Sequence, residues 1–250
     1  MKLLRNLVGC MVMSIMIAVG FRGVDLISSS YASGFSLAKQ NALIRSVKID
    51  SMTSSWSGLI YEKNQESGFL ILTIIHKETM SELVSSGFPY IMVTMESGEK
   101  HFAGVIAWDS CNEVAMIKIA ENDRRYIPKI RVGNEDLAYG FPLFTMGHPL
   151  GEGLHYAEGV MSSKNTIISD CGASTDGFSS TILPGSTGSG VYDNNGRLIG
   201  LVIATSTFQV YNQNQSGEII SVGSVPQSGM GLYIPADTIS SFLARNGYRQ

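Results

Sequence analysis

Residues 183–201 read LPGSTGSGVYDNNGRLIGL: a turn of small residues, a short apolar strand, a hairpin turn and a second apolar strand. Glycine permits backbone conformations that other residues avoid, and successive small residues let backbone N–H groups converge on one point. The Asn-Asn-Gly segment at 194–196 is typical of a tight turn between antiparallel strands. Taken alone, the pattern fits either a plain turn between strands or a concave anion site built from backbone N–H groups.

The composition favours an all-β domain. The chain has 250 residues, which is enough for one large domain or two small ones. Apolar residues make up 44% and supply a core, while charged residues make up only 16% and glycine occurs 27 times. These values indicate many short strands joined by tight turns. The net charge of −3 gives no reason to expect a nucleic-acid partner.

The N-terminal segment resembles an export signal. Lys2 and Arg5 precede an almost wholly apolar run at residues 7–21, and Ser30-Tyr31-Ala32 is a candidate cleavage site with small residues. The apolar run is shorter than the roughly 20 residues that a membrane span needs. We therefore predict a cleaved signal over residues 1–32 and a protein that is periplasmic, extracellular or in a secretory lumen. The alternative is an uncleaved membrane anchor at residues 7–21.

Local patterns predict elements along the rest of the chain. A short helix is expected at residues 35–41 and a strand at residues 44–49. Residues 120–136 are polar and read as the connection between two halves of the domain. Residues 205–229 are rich in Ser, Gln and Asn, and they predict either a surface loop or a long hairpin.

Five short motifs occur in a fixed order. They are LTIIH at 72–76, DSCNEVAMIK at 109–118, GHPLG at 147–151 with GVMS at 159–162, PGSTGSG at 184–190, and LYIPA at 232–236. Each motif is weak by itself, but the ordered set resembles the trypsin-like serine proteases of the HtrA/Deg type. The resemblance extends from about Ile44 to Arg245.

This resemblance implies a fold and a domain organisation. The fold class is all-β, with two six-stranded antiparallel β-barrels and a short C-terminal helix. The protease domain is expected over residues 33–250, with barrel one at about 44–120, barrel two at about 137–235 and the helix at about 237–246. We expect no separate peptide-binding (PDZ) domain after it.

The resemblance also assigns catalytic residues. It places the general base on His76, the acid on Glu113 and the nucleophile on Thr187, with an oxyanion hole from the backbone N–H groups of Gly185 and Thr187. The family carries aspartate and serine where this chain carries Glu113 and Thr187. The chemical groups are kept, but the extra methyl of threonine restricts its rotamers and the extra methylene of glutamate moves the carboxylate.

Neither neighbouring serine fits the family's pattern as a replacement nucleophile. A shift of one residue to Ser186 would place Pro184 at the oxyanion position, and proline has no N–H to donate. Ser189 lacks the leading glycine of the motif. Thr187 is therefore the predicted nucleophile.

Two functions from different classes follow. The first is an exported trypsin-like endopeptidase with an atypical His-Glu-Thr triad, acting on a peptide or an unfolded protein. The second is a catalytically inactive pseudo-protease that binds peptides or a protein partner in the same cleft, with a structural domain without a ligand as its plainest form. If the alignment holds, Thr181, Ile182 and Leu183 line the substrate pocket. They include no carboxylate, so we expect a small or medium apolar substrate residue.

The remaining cysteines and histidines complete the predictions. Beyond residue 32 the chain has Cys111 and Cys171, and an exported protein with an even number of cysteines allows one disulfide. Two separate thiols in the core are the alternative.

His101, His148 and His155 are interpreted as structural or surface residues because their spacing does not indicate a metal site. No metal and no cofactor is predicted.

Overall fold

Two closed antiparallel β-barrels of six strands each form the body of the molecule. The structure is a computed structural model that describes residues 35–64, 68–86, 91–120, 127–133, 136–167, 171, 173–213 and 219–248. The predicted signal at residues 1–32 lies outside the described residues. None of the helices in the described ranges is long and apolar enough to cross a membrane.

Barrel one closes in the strand order β1-β2-β3-β6-β5-β4. Its strands are β1 (Ser46–Asp50), β2 (Ser55–Asn64), β3 (Gly68–Ile74), β4 (Ile91–Thr94), β5 (Lys100–Trp108) and β6 (Val114–Ile119). Strand β3 is an apolar run that is buried along its whole length. It pairs with β2 on one side and with β6 on the other.

Barrel two closes in the order β10-β11-β12-β9-β8-β7. Its strands are β7 (Pro142–Gly147), β8 (His155–Ile167), β9 (Ser174–Phe178), β10 (Gly190–Asp193), β11 (Leu198–Gln213) and β12 (Ile219–Pro235). A 3₁₀ helix at Pro149–Gly151 lies between β7 and β8. Strands β11 and β12 pair with each other within residues 205–213 and 219–229, as the long hairpin predicts.

Three α-helices flank the barrels within the described ranges: α1 (Leu37–Arg45), α2 (Lys77–Ser85) and α3 (Ala236–Arg245). Helix α1 is longer than predicted, because Ala42, Leu43 and Arg45 are buried against the barrels. Residues 44 and 45, which were expected to begin the strand, therefore belong to the helix. Helix α2 was not predicted. Its apolar residues are only Met80, Leu83 and Val84, and this pattern is too short to indicate a helix; of the three, Leu83 is buried.

Each barrel has an apolar core, and a third cluster joins the two. The barrel-one core includes Ile49, Ile71 and Ile117, and the barrel-two core includes Phe178 and Val202. The joining cluster takes residues from both barrels and from α3: Leu59, Leu72, Phe144, Leu201, Ile234 and Phe242. The prediction of two six-stranded barrels with a short C-terminal helix is confirmed, and the cleft between the barrels has a firm apolar floor.

Candidate active site

His76 lies at the junction of strand β3 and helix α2. It follows the buried end of β3 and occupies the N-cap position of α2 in an extended conformation. The indole Nε1–H of Trp108 donates to the carbonyl oxygen of Ile75 at 3.0 Å, which fixes the backbone just before the histidine. The imidazole remains 41% exposed, so it lies at the edge of the cleft and can reach a bound molecule.

Glu113 holds the imidazole from behind. Its Oε2 lies 2.7 Å from His76 Nδ1, and its Oε1 accepts a hydrogen bond from the backbone N–H of Lys77 at 3.1 Å. The second bond satisfies one of the unpaired N–H groups that begin helix α2, where a negative charge is favourable. One carboxylate therefore orients the histidine and caps the helix that follows it.

The two ionisable groups shift each other's pKa. The hydrogen bond to Glu113 raises the pKa of His76, against an opposing effect of burial. Burial would raise the pKa of the Glu113 carboxyl, but the hydrogen bonds from His76 and from the Lys77 N–H outweigh it, and the pKa is lowered. Glu113 is thus an anion that stabilises a positive charge on His76.

The backbone at Glu113 has an unusual conformation. Its φ is +59°, in the left-handed region that residues other than glycine rarely adopt. The preceding turn is held by Asp109, whose Oδ1 accepts the backbone N–H groups of Cys111 at 2.9 Å and Asn112 at 3.1 Å. Arg245, at the end of α3, donates to the other oxygen of Asp109. The carboxylate of Glu113 reaches His76 from this constrained turn.

Thr187 lies in the loop between β9 and β10. Its hydroxyl donates to the carbonyl oxygen of Ile203 at 3.3 Å. Among the hydrogen bonds of the described residues, none joins Thr187 to His76. Thr187 also uses its own carbonyl oxygen, which accepts the backbone N–H of Ser57 at 2.8 Å. The loop is therefore tied to strand β2 of barrel one.

The same loop has the glycine conformations that the motif predicts. Gly185 has a φ of +89° and Gly188 a φ of +83°. The carbonyl oxygen of Pro184 accepts the N–H of Leu150 at 2.7 Å, and the N–H of Gly188 donates to Val202 at 2.7 Å. These bonds fasten both ends of the loop to neighbouring barrel-two segments.

One cavity brings the predicted residues together. It has a volume of about 130 Å³, and its lining includes His76, Gly185 and Thr187. Trp56 and Thr79 form other parts of its wall. A group bound in this cavity would touch the histidine, the threonine and the loop backbone at once.

The residues predicted to line the substrate pocket differ in exposure. Thr181 is exposed, and the side chain of Leu183 is 37% exposed. Ile182 is only 6% exposed and belongs to the barrel-two core. Thr181 and Leu183 are therefore accessible from outside, whereas Ile182 is part of the core.

Cys111 and Cys171 form a disulfide with an S–S distance of 2.01 Å. Cys111 lies in the turn that leads to Glu113, and Cys171 lies between β8 and β9 of barrel two. The disulfide therefore links the loop of the predicted catalytic acid to the opposite barrel.

His101, His148 and His155 do not line the cavity that contains His76. His148 is 8% exposed, burial lowers its pKa, and its Nδ1 lies 3.3 Å from the carbonyl oxygen of Glu152. His101 lies in β5 and His155 at the start of β8. Within the described part of the chain, no three His, Cys, Asp or Glu side chains form a group suited to a metal ion.

The comparison with known families agrees with this geometry. Residues 57–201, more than half of the chain, match the family model of the trypsin-like peptidase domain. The chain belongs to this family. The predicted resemblance to trypsin-like proteases of the HtrA type is confirmed by relatives and by solved structures.

Two relatives of this trypsin-like peptidase domain illustrate the similarity. This chain is 23% identical over 201 residues to the serine protease Do-like HtrA of Lactococcus lactis subsp. lactis, and the match covers 77% of this chain and 44% of the relative. It is 28% identical over 200 residues to the chloroplastic protease Do-like 1 of Arabidopsis thaliana, covering 76% of this chain and 38% of the relative. The chain thus spans less than half the length of these curated relatives.

Solved structures share the fold. An inactive serine-to-alanine mutant form of Rv3671c from M. tuberculosis H37Rv superposes with a TM-score of 0.61 at 15% identity, covering 86% of this chain and 92% of that one. A mutant of the HtrA-type protease AlgW, solved with a tripeptide, gives a TM-score of 0.60 at 21% identity, covering 84% and 62%.

Sequence reasoning missed several residues that build the site of this trypsin-like peptidase domain. Ser57 belongs to none of the five sequence motifs, although it contacts the nucleophile loop. Asp109 begins the DSCNEVAMIK motif, but its contact with Arg245 spans 136 residues and leaves no local signal in the sequence. The spacing of Asp109 before Cys111 and Asn112 is typical of a side chain that caps its own turn, and it could have indicated that role.

Proposed function

We propose that this trypsin-like peptidase domain is an exported endopeptidase with the triad His76, Glu113 and Thr187. One observation carries the proposal: Glu113 Oε2 lies 2.7 Å from His76 Nδ1, and His76 shares a single cavity with Thr187. An acid, an imidazole and a hydroxyl in this order are the groups that acyl transfer requires. The relatives named as proteases support the same chemistry.

The proposed reaction begins with a proton transfer. His76 Nε2 takes the proton of the Thr187 hydroxyl while the oxygen attacks the peptide carbonyl, and the backbone N–H groups of Gly185 and Thr187 receive the developing oxyanion. Glu113 keeps Nδ1 protonated and stabilises the imidazolium. His76 then gives its proton to the leaving amine, and a water molecule hydrolyses the acyl-enzyme by the same steps in reverse.

Thr187 must change its rotamer before it can react. Its hydroxyl is bonded to Ile203 at 3.3 Å, which is longer than the roughly 2.5–3.0 Å of a normal O–H···O bond. Breaking so long a bond costs little. Rotation about χ1 then brings Oγ1 toward the histidine, but the methyl group must move with it, so we expect slower turnover than with serine.

The substrate class follows from the exposed residues beside the loop. Thr181 and Leu183 offer a hydroxyl, a methyl and a branched apolar side chain, and neither carries a charge. We propose cleavage of peptides or unfolded proteins after small or medium apolar residues. A peptide series with Val, Ala or Leu at the cleavage site should be cut faster than a series with Lys or Arg.

A second candidate function is favoured by the Thr187 rotamer. Because the hydroxyl is bonded to Ile203 and not to His76, the cleft is also suited to bind a peptide without cutting it. In this pseudo-protease function the same loop and cavity recognise a peptide or protein partner.

A digestion experiment separates the two functions. The wild type, Thr187→Ala and Thr187→Ser are each incubated with casein, and the fragments are followed by mass spectrometry. Cleavage by the wild type and none by Thr187→Ala supports the endopeptidase. Cleavage by Thr187→Ser alone, or by none of the folded variants, refutes it and favours the binding function.

A further inference from the structure

We propose that Ser57 is a positioning residue for the oxyanion hole of this site. The inference rests on the proposed function, because it concerns the two N–H groups that would receive the oxyanion. Ser57 lies in strand β2 of barrel one, opposite the nucleophile loop of barrel two. Its side chain and backbone together hold the two residues of that loop that supply those N–H groups.

Every polar atom of Ser57 has a partner at this junction. Its hydroxyl donates to the carbonyl oxygen of Gly185 at 2.8 Å and accepts the backbone N–H of His148 at 2.8 Å. Its backbone N–H donates to the carbonyl oxygen of Thr187 at 2.8 Å. Its own carbonyl oxygen accepts the hydroxyl of Thr73 at 2.6 Å. Ser57 is fully buried, so water does not compete for these bonds.

These contacts restrain the peptide planes on both sides of Gly185. The carbonyl of Pro184 shares a planar peptide with the N–H of Gly185, and Leu150 holds that carbonyl at 2.7 Å. The carbonyl of Gly185 belongs to the next peptide, and the Ser57 hydroxyl holds it. Glycine can rotate over a wide range of φ, and here φ is +89°. Without the Ser57 bond, the Gly185–Ser186 peptide keeps only the hydrogen bond from the Ser186 N–H to the Leu183 carbonyl at 3.0 Å, so Gly185 and its N–H are less restrained.

The surroundings of Ser57 leave room for a small side chain only. A Cβ atom built on Gly147 would lie 2.9 Å from the Ser57 hydroxyl, and one built on Gly188 would lie less than 3.0 Å from the Ser57 carbonyl oxygen. Two glycines therefore let β7 and the loop approach the serine closely. The close approach is what allows a side chain as short as serine to bridge Gly185 and His148.

The first test compares turnover of an apolar fluorogenic peptide by wild type, Ser57→Ala and Ser46→Ala. Ser46 is a matched control, because it is also buried in barrel one and its hydroxyl has no hydrogen-bond partner within the described residues. Removal of one oxyanion-hole donor from a serine protease reduces kcat by about 10²–10³-fold. This loss is the upper limit for a donor that is still present but points in a different direction.

We expect Ser57→Ala to reduce kcat about 10- to 100-fold with KM unchanged, because the oxyanion forms only in the transition state. Ser46→Ala should retain the wild-type kcat. Ser57→Cys keeps a weaker donor on a larger atom, so its hydrogen bonds are longer and its kcat should lie between those of wild type and Ser57→Ala. If Ser57→Ala does not fold, Ser57→Cys becomes the deciding variant. An unchanged kcat in the folded Ser57 variant, or a rise in KM alone, overturns the inference.

A second measurement does not depend on catalysis. Amide hydrogen exchange over residues 183–189 is compared between Ser57→Ala and Ser46→Ala. We expect exchange at least tenfold faster in Ser57→Ala, because the loop has lost the hydrogen bond from the Ser57 hydroxyl to the Gly185 carbonyl, and only the backbone bond from Ser57 to Thr187 remains. If the wild type cuts no peptide, the proposed function fails, and this exchange result alone decides the positioning role. Equal exchange in the two variants overturns that role.

Discussion

The substitution Gly188→Ala tests how closely the nucleophile loop is held against barrel one. Gly188 has a φ of +83°, and a Cβ atom there would lie less than 3.0 Å from the carbonyl oxygen of Ser57 and the hydroxyl of Thr73. Gly98 is the matched control, because its φ is +85° and a Cβ atom there would meet nothing within 4 Å. Both alanine variants carry the same backbone strain, and only Gly188→Ala adds a collision.

The expected magnitudes follow from these two effects. A left-handed conformation costs an L-residue about 1–2 kcal/mol, so Gly98→Ala should lose that much stability. Overpacking costs a further 1–3 kcal/mol or so, which should appear only in Gly188→Ala. For a domain of this size, each kcal/mol lowers Tm by roughly 2–4 °C, so the difference between the variants should be about 2–12 °C.

Urea unfolding and a thermal scan of the two variants measure this difference directly. An equal loss of stability in Gly188→Ala and Gly98→Ala would refute the expected collision at Gly188. That result would mean that the loop has space beside barrel one, and that Ser57 does not hold it closely.

The remaining predictions concern the acid, the histidine and the disulfide. Glu113→Gln should reduce kcat by about 10⁴-fold, as an amide does at the acid position of a related triad. The assay uses a fluorogenic peptide, and a loss below tenfold would contradict the role of Glu113 as the acid of the triad. Wild-type kcat/KM should rise with pH through a midpoint above the usual histidine pKa, because Glu113 raises the pKa of His76 and only the neutral imidazole accepts a proton. In Glu113→Gln this midpoint, followed by NMR titration of His76, should move to lower pH, and a constant midpoint would show that Glu113 does not control the histidine. Replacing Cys111 and Cys171 together by serine should destabilise the fold by up to about 4 kcal/mol, the loop-closure value for a separation of 60 residues, and unfolding in urea with no change would contradict it.

The sequence predicted the positions of the site residues better than their conformations. The ordered motifs identified His76, Glu113 and Thr187, and the first two lie in hydrogen-bond contact. Nothing in a sequence reports a backbone angle, so the left-handed conformation that lets Glu113 reach His76 could not be predicted. The same holds for the Thr187 hydroxyl, because its rotamer depends on the carbonyl of Ile203 in a different strand.

Polar contacts between residues far apart in the sequence were the second feature that could not be predicted. Ser57 and Gly185 are 128 residues apart, and their contact exists only because two barrels close against each other. Arg245 reaches Asp109 for the same reason. Apolar runs such as strand β3 are easy to predict because burial acts on many neighbouring residues, whereas a single polar contact between distant segments leaves no periodic pattern. Helix α2 could not be predicted because its nine residues include only three apolar ones, Met80, Leu83 and Val84.

Covalent labelling shows whether His76 activates Thr187 as a nucleophile. The intact protein is treated with a fluorophosphonate, and the adduct is located by mass spectrometry of peptides in wild type, Thr187→Ala, Thr187→Ser and His76→Ala. We predict one adduct on Thr187 in the wild type, faster labelling at the same position in Thr187→Ser, and none in Thr187→Ala or His76→Ala. An unlabelled wild type beside a labelled Thr187→Ser variant would contradict the account, because it would show an intact catalytic site whose natural threonine does not react.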